Sequence, residues 1–575
     1  MTETTAAASP AQEANSAGYT HREILVILSG LILGMLLAAL DQTIVATAIR
    51  TISDDLHGYS LQAWVTTAYL ITATLATPLY GKLSDMYGRK PFFMIAISIF
   101  IVGSLLCTIS TSMYELAAYR AFQGLGAGGL MSLALTILGD IVSPRERARY
   151  QGYFLAVFGM SSVVGPVLGG LFAGQGEILG VSGWRWVFLV NVPVGLFALA
   201  VVYRVLHLPK VARATARVDW WGALVLAIGM VPLLIVAEQG REWGWGEGRS
   251  IACYVIGVLG IAGFILIEYR QGDAALIPLR LFRNTTFALG VVISIVVGAA
   301  MFGGITLLPQ YLQVVRGASP TMAGLEMLPL IIGLMLGSIS SGQFISRTGR
   351  YRAFPLIGAS TLTLGLFLLH YVDADTELWV AMIYMFIAGY GLGNLMQPLV
   401  LALQNAAAPK DMGVSTAAST FFRQIGGTLG VAVFLSILFA QLTPNIGDEL
   451  HTAMGDPKFV QALQDGARSS NPADVALSNG LLKQDTSAAA RVMSDSSIIQ
   501  QLNPTLARPF KVGFADSMSK VFLSVTGLAL LALILVLFWK EVPLRTSSGI
   551  EARAAEKLAN AEPEVQPKAA LGESD

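Results

Sequence analysis

Long apolar runs alternate with short polar connections over most of the chain. A helix needs about 20 apolar residues to cross a bilayer. Runs of that order fall at 23–49, 61–83, 91–110, 114–142, 147–173, 184–206, 219–239 and 250–269. They continue at 287–315, 321–345, 354–371, 378–408, 413–442 and 517–539. The pattern predicts an all-α membrane protein with about fourteen spans. Residues 443–516 interrupt it: they are polar, rich in Ser, Asp, Asn and Pro, and long for a connection in a compact protein. Short apolar-patterned pieces within them, such as KFVQALQDGA, suggest interrupted helices forming a small cap.

The pattern also repeats. GKLSDMYGRK begins at Gly81 and GQFISRTGRY at Gly342, each after a second helix and before a third, with Gly, Gly and Arg at matching offsets. Parallel six-helix halves with weak internal similarity are a transporter signature. The predicted organisation is a disordered tail (1–22), a six-helix bundle (23–206), a linker with two extra helices (207–285), a second six-helix bundle (286–541) and a second disordered tail (542–575).

Composition agrees with a membrane protein. The 575 residues are 54% hydrophobic and 13% charged, against about 25% charge in soluble domains. Net charge is zero, so no global field argues for a nucleic-acid partner. Cys107 and Cys253 lie in apolar runs and suggest neither a disulfide framework nor a zinc site. The first 20 residues lack the parts of a cleaved signal peptide. Alternate connections carry the cations: Lys82, Arg89 and Lys90; Arg145, Arg147 and Arg149; Arg204, Lys210, Arg213 and Arg217; Arg270, Arg280 and Arg283; Arg347, Arg350 and Arg352. The positive-inside rule then places both termini in the cytoplasm of a cell-membrane protein, a bacterial plasma membrane being expected. The sequon at Asn284 falls inside and should carry no glycan.

Candidate chemistry sits in the helices. Asp41, in LAALDQTIVATAI, is a carboxylate in an apolar span with no cation beside it in sequence, which makes it a functional candidate. Arg120, in YRAFQGLGAGG, lies ~9 Å into the fourth span and needs a partner. The two are at comparable depth and can face each other. In GKLSDMYGRKP, Gly81 and Gly88 allow a tight turn, Asp85 is a fixed negative charge at a helix end, and Arg89 and Lys90 are membrane-surface anchors. In GMSSVVGPVLGG, Gly165 and Gly169 form a close-packing face, Pro166 removes a backbone hydrogen bond and Gly170 follows. Glu326 is a titratable group or a surface-facing one. Trp64, Tyr69, Gln123, Gln310, Gln313, Asn394, Gln397 and Arg423 line a cavity or pack structurally. There is no phosphate-binding loop, HExxH or GxSxG motif, which argues against ATP-driven transport, hydrolysis and enzymatic activity in general.

GKLSDMYGRKP resembles the loop motif of the major facilitator superfamily. GPVLGG resembles its antiporter motif, and GWRWVFLVNVPVG and FFRQIGGTLGVAV resemble the EmrB/QacA branch of fourteen-helix drug:proton antiporters. The resemblance implies a fold of two six-helix bundles plus two extra helices. It implies that Asp85 docks at the helix start near Gly413, that Arg89 pairs with Asp140, that the Gly165–Gly170 segment bends as a hinge, and that Arg120 takes part in proton coupling. In the second copy Ser346 replaces the Asp and Tyr351 the final Lys, so its latch should be weaker or absent. The expected function is a proton-driven exporter of drugs or other hydrophobic, often cationic, amphiphiles. It needs no cofactor or metal beyond the proton gradient, and its expected partners are the substrate, protons, the bilayer and a protein docked at 443–516. Export of a native lipid, fatty acid or siderophore is the alternative, and a non-transporting receptor or scaffold the second. Only the family motifs choose export over import.

Overall fold

The computed structural model describes residues 20–58, 61–207, 218–483, 492, 497–545 and 547–552. Residues 1–19 and 553–575 of the expected tails lie outside this set, as do Lys210, Arg213, Arg217 and the side chain of Arg149. The described residues form long helices: α1 (His21–Asp55), α2 (Gln62–Tyr87), α3 (Arg89–Thr108), α4 (Met113–Ile141) and α5 (Pro144–Ala173). A hairpin of β1 (Glu177–Ile178) and β2 (Val181–Ser182) leads to α6 (Trp186–Leu189) and α7 (Asn191–Val205). Next come α8 (Trp220–Trp243), α9 (Gly248–Gln271), α10 (Thr285–Val314), α11 (Pro320–Glu326), α12 (Leu328–Thr348), α13 (Ala353–Leu369) and α14 (Leu378–Ala406). The chain continues through α15 (Met412–Met454), α16 (Pro457–Gly466), α17 (Pro472–Leu482), α18 (Ser497–Gln501) and α19 (Pro504–Phe538).

Polar side chains start several of these helices. Ser112 accepts from Glu115 N at 3.2 Å, Ser143 from Glu146 N at 3.4 Å, and Asn284 from Thr286 N at 2.9 Å. Two spans break near their beginnings for one reason. Pro193 cannot donate to the Leu189 carbonyl, and α6 gives way to α7; Pro329 cannot donate to Leu325, and α11 gives way to α12. All the expected spans are helical. Among the described residues twelve helices are long and apolar enough to cross a membrane, and the other two expected spans are α2 and the 17-residue α13.

Two cores organise the packing. Buried residues of α1 to α5 and α7 form one, joined by a smaller cluster around Trp184 and Phe188. The second spans α10 to α19 and takes in the inserted hairpin through Leu226, Met230 and Phe264. The halves meet along α2 against α15 and α5 against α12.

Three expectations need correction. Residues 443–516 are largely helical where described: α15 continues to Met454 and α19 begins at Pro504. Between them α16 and α17 bury Phe459, Leu463 and Leu477 against Leu506 and Phe510. The apolar residues are too sparse to read as a membrane run, yet they gather on one face and make the cap. The expected disordered tail at 542–575 is ordered through Ala552, and Ser548 and Gly549 are buried. At the other end, His21 and Arg22 belong to α1. Thr20 caps it, with Glu23 Oε2 accepting from Thr20 N at 2.8 Å in return.

Candidate functional site

Asp41 has no exposed surface. Its Oδ1 accepts from Gln123 Nε2 and from Asn191 Nδ2, both at 2.9 Å, while Oδ2 pairs with the Arg120 guanidinium. Gln123 also receives a bond from Arg120 at 2.7 Å and donates to Ser104 Oγ at 2.8 Å. The Tyr69 ring lies 4.1 Å from Arg120 Cζ, a cation–π contact, and the Tyr69 hydroxyl donates to the Ala38 carbonyl. Asp41 and Arg120 therefore meet as their depths in sequence suggested. Burial of an ion pair costs several kcal/mol per ion unless other bonds complete it, and here Gln123 and Asn191 supply them. Asn191 is a residue that sequence reasoning missed. A lone amide in an apolar run carries the same signal that singled out Asp41.

The second constellation lies between the halves. Asp85 reaches the first turn of α15, accepting from Gly413 N at 3.1 Å and Val414 N at 2.9 Å. An anion there satisfies free N–H groups and meets the positive end of the helix dipole. Arg89 pairs with Asp85, donates to Asp140 Oδ2 at 2.9 Å and to Ser84 Oγ at 2.7 Å. A Cβ at Gly81 would stand 2.5 Å from the Ala417 Cβ, so only glycine lets α2 and α15 touch here. Gly88 has φ +100°, a left-handed turn that favours glycine. Lys90 stays outside the latch, donating to the Tyr203 carbonyl at 2.7 Å.

The second loop is linked too, by other means. Arg145 of α5 donates to the Ser346 carbonyl at 2.8 Å and to the Arg347 carbonyl, at the negative end of α12. Fully buried Arg147 donates to the Gly139 carbonyl at 2.8 Å and to Gln404 of α14. Arg280 makes a bidentate pair with Asp411, at 2.8 and 2.9 Å, and bonds Asp273, whose carbonyl accepts from Lys82 at 2.7 Å. Most of these partners could not be read from spacing, since Arg145–Ser346, Arg147–Gln404, Arg280–Asp411 and Lys82–Asp273 join segments far apart in sequence.

On α5, a Cβ at Gly165 or Gly169 would stand 2.0 Å from Thr43 Oγ1 or Thr47 Oγ1, so the expected hinge is the face that grips α1. Gly170 faces open space. Thr43 Oγ1 bridges the two helices, donating to the Ser161 carbonyl at 2.9 Å.

Other expected residues stay apart. Asn394 is fully buried between α12 and α13 and donates within its own helix to Tyr390 O, a packing position rather than a cavity wall. Gln397 likewise bonds Ser338 at 2.5 Å. Trp64, Gln310, Gln313 and Arg423 are half-buried. Glu326 ends α11, half-buried, and its Oε2 has no hydrogen-bond partner among the described residues. No group of metal-ligating side chains occurs among the described residues.

Two helical halves clasped by side chains on helix ends, with an ion pair sealed inside one half, define a membrane transport protein rather than an enzyme. The chain belongs to the Major Facilitator Superfamily, whose description matches residues 31–431. It is 33% identical over 543 residues, 93% of this chain and 96% of the relative, to the multidrug transporter protein MdtP of Bacillus subtilis. It is also 33% identical over 459 residues, 78% of this chain and 87% of the relative, to multidrug resistance protein 3 of the same organism. Among solved structures, the proton:xylose symporter XylE superposes with a TM-score of 0.55 at 15% identity, covering 93% of this chain and all of that one. At that identity the likeness concerns the fold.

Proposed function

We propose that the protein is a proton-driven exporter of hydrophobic or amphiphilic compounds, drugs among them, of the fourteen-helix EmrB/QacA type. The observation that carries this reading is the Asp41 carboxylate, buried without exposed surface and held by Arg120, Gln123 and Asn191. The names of the two Bacillus relatives support the substrate class and direction. The distribution of Lys and Arg puts the latch and both termini on the cytoplasmic side and the α16–α18 cap outside.

Asp41 is the proton carrier in this scheme. Its two oxygens accept from three donors, which leaves one lone-pair site, on Oδ2, for an added proton. Asn191 Oδ1 has no hydrogen-bond partner among the described residues. Turning that amide over would present Oδ1 to the new carboxyl O–H. Asn191 opens α7 just after the break, so the turn is felt by the sixth span. Neutralising Asp41 also weakens its hold on Arg120, loosening α1 from α4. One proton crossing ~100 mV supplies ~2.3 kcal/mol. Glu326 is the second candidate carrier.

The test is uptake into inverted vesicles under an imposed proton gradient, with cationic dyes, neutral drugs and lipids as substrates. Accumulation that collapses with a protonophore is expected. Accumulation indifferent to the gradient would overturn proton coupling.

Export of a native amphiphile is the second reading. The cap favours it, holding a hollow of about 430 Å³ lined by Lys458, Gln461, Asp465, Asp474 and Asn503. That lining suits a polar head group, not an acyl chain. A static receptor or scaffold has no use for a breakable latch.

A further inference from the structure

After α19 the chain turns across the latch end of the molecule. Its first anchors are all on the second half. Trp539 Nε1 donates to the Thr286 carbonyl at 2.9 Å. Glu541 Oε1 accepts from Tyr351 N at 2.8 Å, and Val542 N donates to the Tyr351 hydroxyl at 3.0 Å. Burial pushes the Tyr351 phenol above its usual range, so it remains a neutral hydroxyl at physiological pH. Asn405, in the last turn of α14, donates to the Pro543 carbonyl at 3.0 Å and accepts from Arg545 N at 3.1 Å. The Arg545 guanidinium donates to the Ala407 carbonyl at 2.6 Å and the Asn405 carbonyl at 3.1 Å.

The tip then leaves the second half. A Cβ at Gly549 would stand 2.8 Å from Asp140 Oδ1, 3.1 Å from the Gly139 carbonyl and 3.1 Å from Met412 Cε. Gly139 and Asp140 end α4 of the first half, and Met412 begins α15 of the second. Ile550 packs on the core of the first half. Ser548 fixes the tip as a short helical turn: its N–H donates to Glu551 Oε2 at 2.8 Å, and its hydroxyl accepts from Glu551 N. The tip thus touches the acid that holds Arg89, which holds Asp85, which holds the start of α15.

We propose that residues 540–545 and 547–552 form a gate strap: the segment following the last membrane helix bridges the two halves and holds the latch end shut. When the latch end opens, α4 and the start of α15 separate, and a strap that touches both must release one of them. The anchors on the second half outnumber the contacts on the first, so the tip at Ser548 to Ile550 is the part that lets go. What opening breaks is the packing of the tip on Gly139, Asp140 and the first-half core, so that contact adds to the closed side of the equilibrium. The inference concerns the gate alone and holds whatever ion or substrate drives opening.

The test is maleimide labelling of a cysteine at Thr420, in protein reconstituted in nanodiscs. Thr420 is 3% exposed, one turn past Ala417 on α15, and bonds only within its own helix. The half-buried native thiol is removed by Cys253→Ala, and buried Cys107 is controlled by the parent lacking the reporter. Three proteins carry the reporter: the full chain, a truncation after Leu544, and Gly549→Leu. Labelling in both variants should be faster by roughly tenfold, the factor that ~1.4 kcal/mol of lost closed-state preference gives. A second reporter, Thr526→Cys, lies buried in α19 away from the gate and should not change. Unchanged labelling of Thr420→Cys in both variants would overturn the proposal, and so would an equal rise at Thr526→Cys, which would mean general loosening.

Discussion

At Asp41 one carboxylate is asked to stabilise a buried arginine and, in our proposal, to carry a proton. The first task makes the simple test severe. Asp41→Asn leaves Arg120 without a countercharge, and breaking a buried pair from one side costs about 3–5 kcal/mol. We expect this variant to lose gradient-driven accumulation and to unfold at a lower temperature. Adding Arg120→Gln should recover most of the stability and none of the transport. A double variant that still concentrates substrate would exclude Asp41 as carrier, and Glu326→Gln would be the next measurement. The exposed end of the scale differs. Arg280 is 34% exposed on its side chain but meets an Asp411 that is only 9% exposed, so Arg280→Ala should cost less than breaking the fully buried pair and more than the ~1 kcal/mol of a surface pair in a chemical unfolding series.

Helices were the most legible level of the sequence, because a lipid-facing segment must satisfy its own backbone and reads as an apolar run. The positions of the expected spans and the Asp41–Arg120 pair followed from that, while the latch contacts were legible only through the resemblance of GKLSDMYGRKP to a known loop motif. The cap was legible only in outline, from pieces such as KFVQALQDGA, since α16 and α17 are half polar and their apolar residues count only once folded against α19. The strap was hidden for a similar reason: its bonds use backbone carbonyls and amides, which leave no trace in composition. The cap gives a prediction of its own. Replacing residues 457–501 with a short Gly/Ser linker removes no residue of the latch or the Asp41 cluster, and loop closure costs grow slowly with length. Efflux of a small dye should persist in that variant, measured as fluorescence recovery in loaded cells. Loss of dye efflux from normally inserted protein would place the cap in the core machinery. On α5, Gly165→Leu would drive a side chain into Thr43, 2.0 Å from the Cβ alone. It should part α1 from α5, seen as a lower unfolding temperature.

The whole molecule is two unequal halves, and the gate uses them differently. The first half offers side chains: Asp85 to the N-terminal end of α15, and Arg145 to the C-terminal end of α12. The second half offers bare peptide groups, whose partial charges come with being helical. Asp85→Asn should therefore weaken closure, raising labelling of the buried Thr420 reporter, since a neutral amide binds the helix start less strongly than an anion. The receiving side has a different vulnerability. A lock cut into peptide groups does not depend on which side chains stand there, so the second loop can dispense with an acid at Ser346 and a lysine at Tyr351. What it cannot dispense with is a hydrogen on nitrogen. Val414→Pro in the first turn leaves α15 able to form, as proline is tolerated there, while deleting the N–H that Asp85 Oδ2 accepts. Such a variant should behave at the gate as Asp85→Asn does, although every charge in the protein is intact.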